Sequence, residues 1–212
     1  IQAVCAGFVF AMVQANNFIT SGQAKNILVI GADTMSSLVD WQDRGTAVLF
    51  GDGAGAVVLS AADQPKKCGV LASHIASDGR LNDILITDGG VSTTKTSGLL
   101  RMNGREVFKH AVEKMSASLL HVCNKAGLGT KEIDWLIPHQ ANARIIKAIA
   151  ERINFPEEKT VLTVAHQANT SAATIPLALA ELEASGKLER GQLLAFTALG
   201  AGLSWGSMLI YW

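Results

Sequence analysis

Ile133-Asp134-Trp135-Leu136-Ile137-Pro138-His139-Gln140-Ala141-Asn142 reads as a short buried strand that ends on a proline and delivers a histidine. The stretch before it, 105–126, spaces its apolar residues as a long amphipathic helix and closes at Gly127. The stretch after it, 143–153, reads as another helix. Further on, 160–164 reads as a short strand leading to Asn169, and 171–185 as a helix stopped by Gly186. Residues 192–198 and 204–211 read as strands around Leu199-Gly200-Ala201-Gly202. Upstream, 69–77 reads as a strand. The stretch 78–103, rich in Gly, Ser, Thr and Asp, reads as a long loop of the kind that carries function or moves. From residue 69 the order is strand, helix, strand, helix, strand, helix, strand, strand. That alternation predicts an α/β fold with a mainly parallel sheet and helices on its faces.

The residues before this module repeat its tail. A helix over 7–19 is followed by a buried strand over 26–33, an irregular polar stretch over 34–53 and a second strand over 56–60. Asp63-Gln64-Pro65-Lys66-Lys67 is the most linker-like stretch. It divides the chain into two expected units, an incomplete half over 1–62 and a complete one over 68–212. Cys5 stands only five residues from the first residue, where chain ends fray. The 212 residues therefore read as the back part of something longer.

Bulk properties narrow the function. Hydrophobic residues make up 49% and charged residues 17%, with a mean hydropathy of +0.26. This composition suits a buried sheet together with an extensive subunit interface or a missing half. The formal net charge is zero and no block of basic residues stands out, so composition gives no case for nucleic-acid binding. No apolar run reaches the roughly 18 residues that span a bilayer. Cys5, Cys68 and Cys123 are widely spaced, with no CxxC pair and no metal cluster, which fits a reduced, cytoplasmic setting.

A Cys, a His and an Asn far apart in sequence are the parts of a thiol nucleophile with two polar helpers. Cys5 stands at a helix N-terminus, where backbone N–H groups and the helix dipole favour a thiolate. The ordinary alternative is a structural cysteine. His139 can donate a hydrogen bond or move a proton, or it can be a strand-end histidine bonded to backbone. Asn169 can donate to an oxyanion, or cap the helix that follows it. His-Gln-Ala-Asn occurs at 139–142 and again at 166–169, which makes His166 a competitor for the catalytic histidine; Pro138 favours His139. Gly51-Asp52-Gly53-Ala54-Gly55 precedes a strand rather than opening a helix, so it reads as a turn and not as a phosphate loop. Gly200-Ala201-Gly202 could aim a backbone N–H at a developing oxyanion, or be a sharp turn.

At these residues the chain resembles the thiolase-like fold and, within it, the β-ketoacyl-acyl-carrier-protein synthase III enzymes. The motifs that carry the resemblance are Cys5-Ala6-Gly7-Phe8, Phe50-Gly51-Asp52-Gly53-Ala54-Gly55-Ala56, Asn103-Gly104-Arg105-Glu106-Val107-Phe108-Lys109, His139-Gln140-Ala141-Asn142, Asn169-Thr170-Ser171-Ala172-Ala173 and Gly200-Ala201-Gly202-Leu203-Ser204-Trp205-Gly206. The resemblance spans the whole chain and implies that the N-terminal third of such an enzyme lies upstream of Cys5. It implies mainly parallel five-stranded sheets with helices in α-β-α-β-α layers, the N-terminal half incomplete.

The resemblance also implies a decarboxylative Claisen condensation. Cys5 would take the acyl group of a short acyl-CoA, typically acetyl-CoA. Malonyl-acyl-carrier protein would then lose carbon dioxide, and its enolate, held by His139 and Asn169, would attack the acyl-Cys5. The backbone N–H groups of Cys5 and Ala201 would form the oxyanion hole. Arg44 would contact the adenine end of coenzyme A, and Gly104, Phe108, Ala141 and Asn142 would line the pantetheine tunnel. Met35, Phe50 and Leu199 would bound the acyl pocket. Arg144, with Lys109, would dock the acidic carrier protein. A homodimer is implied and no resident cofactor or metal, coenzyme A entering as a thioester substrate. Ala201 stands where many relatives have glycine, Arg105 where some have a smaller polar residue, and Leu199 where some have an aromatic. The other readings are a Cys-His-Asn condensing enzyme of quinolone or polyketide metabolism, and an inactive degraded fragment.

Overall fold

The computed structural model describes residues 1–62 and 68–212. The expected boundary at 63–67 lies outside the described residues. The chain opens with a single 3₁₀ turn at Val4–Ala6 and helix α1 (Gly7–Thr20). Strands β1 (Asn26–Thr34) and β2 (Asp52–Ser60) pair antiparallel in full register. Strand β3 (Gly69–Ser77) follows. The predicted loop over 78–103 instead contains a short hairpin, β4 (Leu85–Thr87) and β5 (Leu100–Met102). Helix α2 (Gly104–Ala126) starts on the Asn103 side chain, which accepts from the Glu106 N–H, and stops at Gly127 in the left-handed conformation. Then come β6 (Trp135–Pro138), α3 (Ala143–Arg152), the one-turn α4 (Val164–Gln167), α5 (Thr174–Ala184), β7 (Leu193–Gly200) and β8 (Ser204–Tyr211).

The main sheet has the order β3-β8-β7-β6. Strand β7 is buried along its whole length, and its residues alternate between two cores. Leu193, Ala195 and Leu199 join Leu136, Leu209, Met115 and Ile149 on the α2/α3 side. Leu194, Phe196 and Ala198 join Ile137, Met208, Phe8, Met12 and Ile175 on the α1/α5 side. The period of two places neighbouring residues on opposite faces, so one strand serves both cores. Phe8 meets Phe196 with ring centroids 6.5 Å apart, tying the first helix to the centre of the sheet. Each large side chain buried in this way contributes about 1.5–3 kcal/mol. On the far side of α1 and α5 lies the β1–β2 pair. The described residues thus supply four layers, α-β-α-β, of the five expected.

Two expectations about the sheet are corrected. Among the described strands only β6 and β7 pair in parallel; β7–β8, β3–β8, β1–β2 and β4–β5 are antiparallel. The reason is connection length: three residues join β7 to β8, too few for a crossover, so the chain must double back. The predicted fifth strand over 160–164 is reduced to one parallel bridge between Leu136 and Thr160. The Gln140 side chain takes over the pairing. Its Oε1 accepts from the Thr163 and Val164 N–H groups at 2.8 and 3.3 Å, and its Nε2 donates to the Val161 carbonyl at 3.1 Å. With its polar groups met by a buried amide, the backbone turns into α4 instead of extending.

Candidate active site

Three elements bring Cys5, His139 and Asn169 to the wall of one cavity of about 600 Å³. Cys5 sits in the 3₁₀ turn just ahead of α1, buried against the turn between β7 and β8. A Cβ at Gly200 would lie 2.7 Å from the Cys5 amide nitrogen and 2.8 Å from the Ala3 carbonyl. Only glycine lets the two backbones approach so closely.

The Cys5 thiol is pushed up to about 11. Burial is the main cause, the Asp33 carboxylate adds to it, and the Ser171 hydroxyl works against it. The helix-end thiolate expected from sequence is therefore corrected: the loss of solvation outweighs the N-terminal dipole, and the resting group is a protonated thiol.

His139 extends the β6–β7 pairing, its N–H donating to the Thr197 carbonyl at 2.8 Å. It is 2% exposed, and burial pushes its pKa down to about 3, so the ring is neutral. Nδ1 lies 2.7 Å from the Thr174 hydroxyl. Asn169 is clamped by backbone on both sides: its N–H donates to the Leu49 carbonyl at 2.8 Å, and its carbonyl accepts from the Gly51 N–H at 3.0 Å. Its Oδ1 accepts from the Ser171 N–H at 3.0 Å. The helix-start role considered for Asn169 thus uses the carbonyl end of the amide and leaves the Nδ2 end, a pure donor, for the cavity.

Strain concentrates here. Five non-glycine residues among those described have positive φ, and three of them flank the site: Val4 (47°) beside Cys5, and Ala168 (58°) and Ser171 (54°) around Asn169. Such backbone persists only where the surroundings over-determine it.

The remaining expected residues divide. Phe50, Gly104, Phe108, Ala141, Asn142, Arg144 and Leu199 all line the cavity. The Arg144 guanidinium lies 5.8 Å from the centre of the Phe108 ring at the mouth. Met35 and Ala201 line a second cavity of about 520 Å³, which shares Cys5 and Phe50 with the first. The three residues expected to bound an acyl pocket are therefore spread over two cavities that share Cys5, Phe50 and Leu85. Arg44 and Lys109 are exposed and line neither, although Gly45, next to Arg44, does line the first. His166 is not a competitor: it is on the surface, 2.8 Å from Glu181, away from both cavities. Thr174 went unnoticed in the sequence, and Ser171 was noticed only inside a motif. The available signal was the run of hydroxyl residues just after Asn169. Among the described residues no three His, Cys, Asp or Glu are grouped to hold a metal ion, and no helix is long and apolar enough to cross a membrane.

The sequence models of 3-oxoacyl-[acyl-carrier-protein (ACP)] synthase III and of its C-terminal part match residues 1–79 and 123–212. The β-ketoacyl-[acyl-carrier-protein] synthase III of Rhodobacter capsulatus is 54% identical, covering all of this chain and 66% of that protein. The enzyme of the same name from Paracoccus denitrificans is 53% identical, with 100% and 67% covered. The crystal structure of 3-oxoacyl-[acyl-carrier-protein] synthase III from Aquifex aeolicus superposes with a TM-score of 0.94 at 47% identity, covering 100% of this chain and 66% of that one. A priming β-ketosynthase from a polyketide biosynthetic pathway gives 0.91 at 32% identity, with 100% and 64% covered. The chain spans about two thirds of the length of the relatives it matches. On motif, fold and sequence together, this chain belongs to the 3-oxoacyl-[acyl-carrier-protein] synthase III family.

Proposed function

We propose that the protein of which this chain is part joins an acyl-CoA, with acetyl-CoA as the first donor to test, to malonyl-acyl-carrier protein by decarboxylative condensation, at the start of fatty-acid synthesis. The observation that carries this reading is the convergence of Cys5, His139 and Asn169 on one cavity from three separate elements. Cys5 is the nucleophile. It attacks the thioester carbonyl, and the oxyanion is held by the backbone N–H groups of Cys5 and Ala201. Coenzyme A leaves and malonyl-acyl-carrier protein takes its place. Loss of carbon dioxide leaves an enolate, which needs hydrogen-bond donors where its charge appears. Asn169 Nδ2 and His139 are those donors. The enolate carbon then attacks acyl-Cys5 to give the β-ketoacyl product.

The walls around Gly104, Phe108, Ala141 and Asn142 suit a pantetheine arm, Met35, Phe50 and Leu199 suit a short acyl group, and Arg144 with Lys109 suits an acidic carrier. Arg44 remains the candidate for the adenine end of coenzyme A. Units over 1–62 and 68–212, a homodimer and a cytoplasmic setting belong to the same reading, which needs no resident cofactor. No feature of the site favours the quinolone or polyketide alternative, or an inert fragment.

The test is intact mass before and after acetyl-CoA, with peptide mapping. One acetyl group on Cys5 is the expected result. Acetylation elsewhere, or acylation by longer donors alone, would remove acetyl-CoA from the reading.

A further inference from the structure

The Thr174 hydroxyl is buried and has two neighbours. It lies 2.9 Å from the Ser171 carbonyl and 2.7 Å from His139 Nδ1. A hydroxyl has one proton, and a carbonyl oxygen can only accept. The Thr174 proton is therefore committed to Ser171, and its oxygen lone pair faces His139. The neighbouring ring nitrogen must then be the donor. We propose that Thr174 is a positioning residue that fixes His139 as the Nδ1–H tautomer, so that Nε2 meets the substrates as a lone pair.

The surroundings of His139 supply no competing instruction. Thr174 is the only hydrogen-bond partner of its ring among the described residues. Among the described residues Nε2 has no hydrogen-bond partner, and it is not one of the fully buried polar atoms that lack one, so it reaches the cavity. The carbonyl that orients Thr174 belongs to Ser171, whose N–H orients Asn169. One residue thus sets both helpers: Asn169 with its donor outward and, through Thr174, His139 with its acceptor outward.

The inference rests on the reading of Cys5 as nucleophile and gives the two helpers unlike tasks. In acyl transfer, the Cys5 S–H bond breaks as an N–H bond forms at Nε2. The sulfur bonds to the acyl carbon, the bond from that carbon to the coenzyme A sulfur breaks, and the proton passes to the departing thiolate. Condensation consumes one proton from solvent, which Nε2 takes up as the malonyl carboxylate brings in negative charge. The carbon–carboxylate bond breaks and its electron pair becomes the enolate, held by Nε2–H and Asn169 Nδ2. The enolate carbon bonds to the acyl carbon, the acyl–sulfur bond of Cys5 breaks, and the Nε2 proton returns to the sulfur. Asn169 donates throughout, whereas His139 alternates.

Nitrogen-15 NMR of the imidazole-labelled full-length protein at pH 7 tests this directly. The expected spectrum has a protonated, pyrrole-type Nδ1 and a bare, pyridine-type Nε2 for His139. Thr174→Val removes the acceptor while keeping the shape; it should shift His139 toward the Nε2–H form and lower condensation kcat/KM by about 10–100-fold, the cost found when a metal-binding histidine loses the partner that orients it. Thr174→Ser should restore both the signature and the activity. A wild-type Nε2–H tautomer, or a tautomer unchanged in Thr174→Val, would overturn the proposal. Failure of acetyl-CoA to label Cys5 alongside the expected spectrum would instead count against the functional reading and leave the tautomer standing.

Discussion

The two faces of β7 and the outward face of the β1–β2 pair are built from similar residues and meet opposite fates. In β7 every residue is buried, because helices close both sides of the sheet. On β1 and β2, Leu28, Ile30 and Val58 are 59%, 57% and 64% exposed, while their inward neighbours pack on α1 and α5. Apolar sequence alone therefore does not make a core; a second layer must cover it. The site lies where the fully covered sheet ends, on backbone that cannot easily shift.

That contrast can be broken at four depths. Phe196→Ala should be the most severe, costing about 3–5 kcal/mol in chemical denaturation, because both the aromatic contact with Phe8 and the surrounding core are lost. A loss below 1 kcal/mol would mean that the α1/α5 core is not continuous. Gly200→Ala should cost about 1–3 kcal/mol and also suppress acylation of Cys5, since its Cβ would press on the Cys5 amide; normal acylation would show that the close approach is dispensable. At the other extreme, Leu28→Ser should stay within about 0.5 kcal/mol, as an exposed position allows.

Acid titration probes the covered region between these extremes. His139 has a folded pKa of about 3, below its ordinary value of 6.5. Between those values the unfolded chain binds a proton that the folded chain does not. Its contribution is present above pH 6.5 and is lost as pH falls toward 3, by up to about 1.4 kcal/mol per pH unit. His139→Gln should flatten that part of the stability curve. Cys5 acts in the opposite direction. With its folded pKa raised to about 11 from 9.0, its contribution is lost as pH rises from 9 to 11.

Much of this was legible from the chain. Helix α2, expected over 105–126 with a stop at Gly127, spans Gly104–Ala126, whereas β2 begins at Asp52 rather than at 56 and α5 at Thr174 rather than at 171. That Cys5, His139 and Asn169 line one cavity could be anticipated because each stands at an element boundary. Three things were hidden. Gln140 looked like part of a motif, yet its amide replaces a strand at 161–164. Cys5 stood before a helix, which suggested a thiolate, but its burial depends on the β7–β8 turn nearly two hundred residues away in sequence. Thr174 resembled any residue near a helix start; its partner His139 is brought close only by tertiary packing. Local period and caps survive translation into structure, whereas burial and side-chain partners across the sheet do not appear in a window of sequence.

The most direct test supplies acetyl-CoA and malonyl-acyl-carrier protein to wild type, Cys5→Ala and Asn169→Ala, following the Cys5 adduct by mass and carbon dioxide release in parallel. The account predicts an acetyl group on Cys5 and a β-ketoacyl product in wild type, and neither in Cys5→Ala. In Asn169→Ala it predicts an acetyl-Cys5 that persists while carbon dioxide release falls by about 10²–10³-fold. Wild-type condensation by Asn169→Ala, or an acyl group carried on any residue but Cys5, would contradict it.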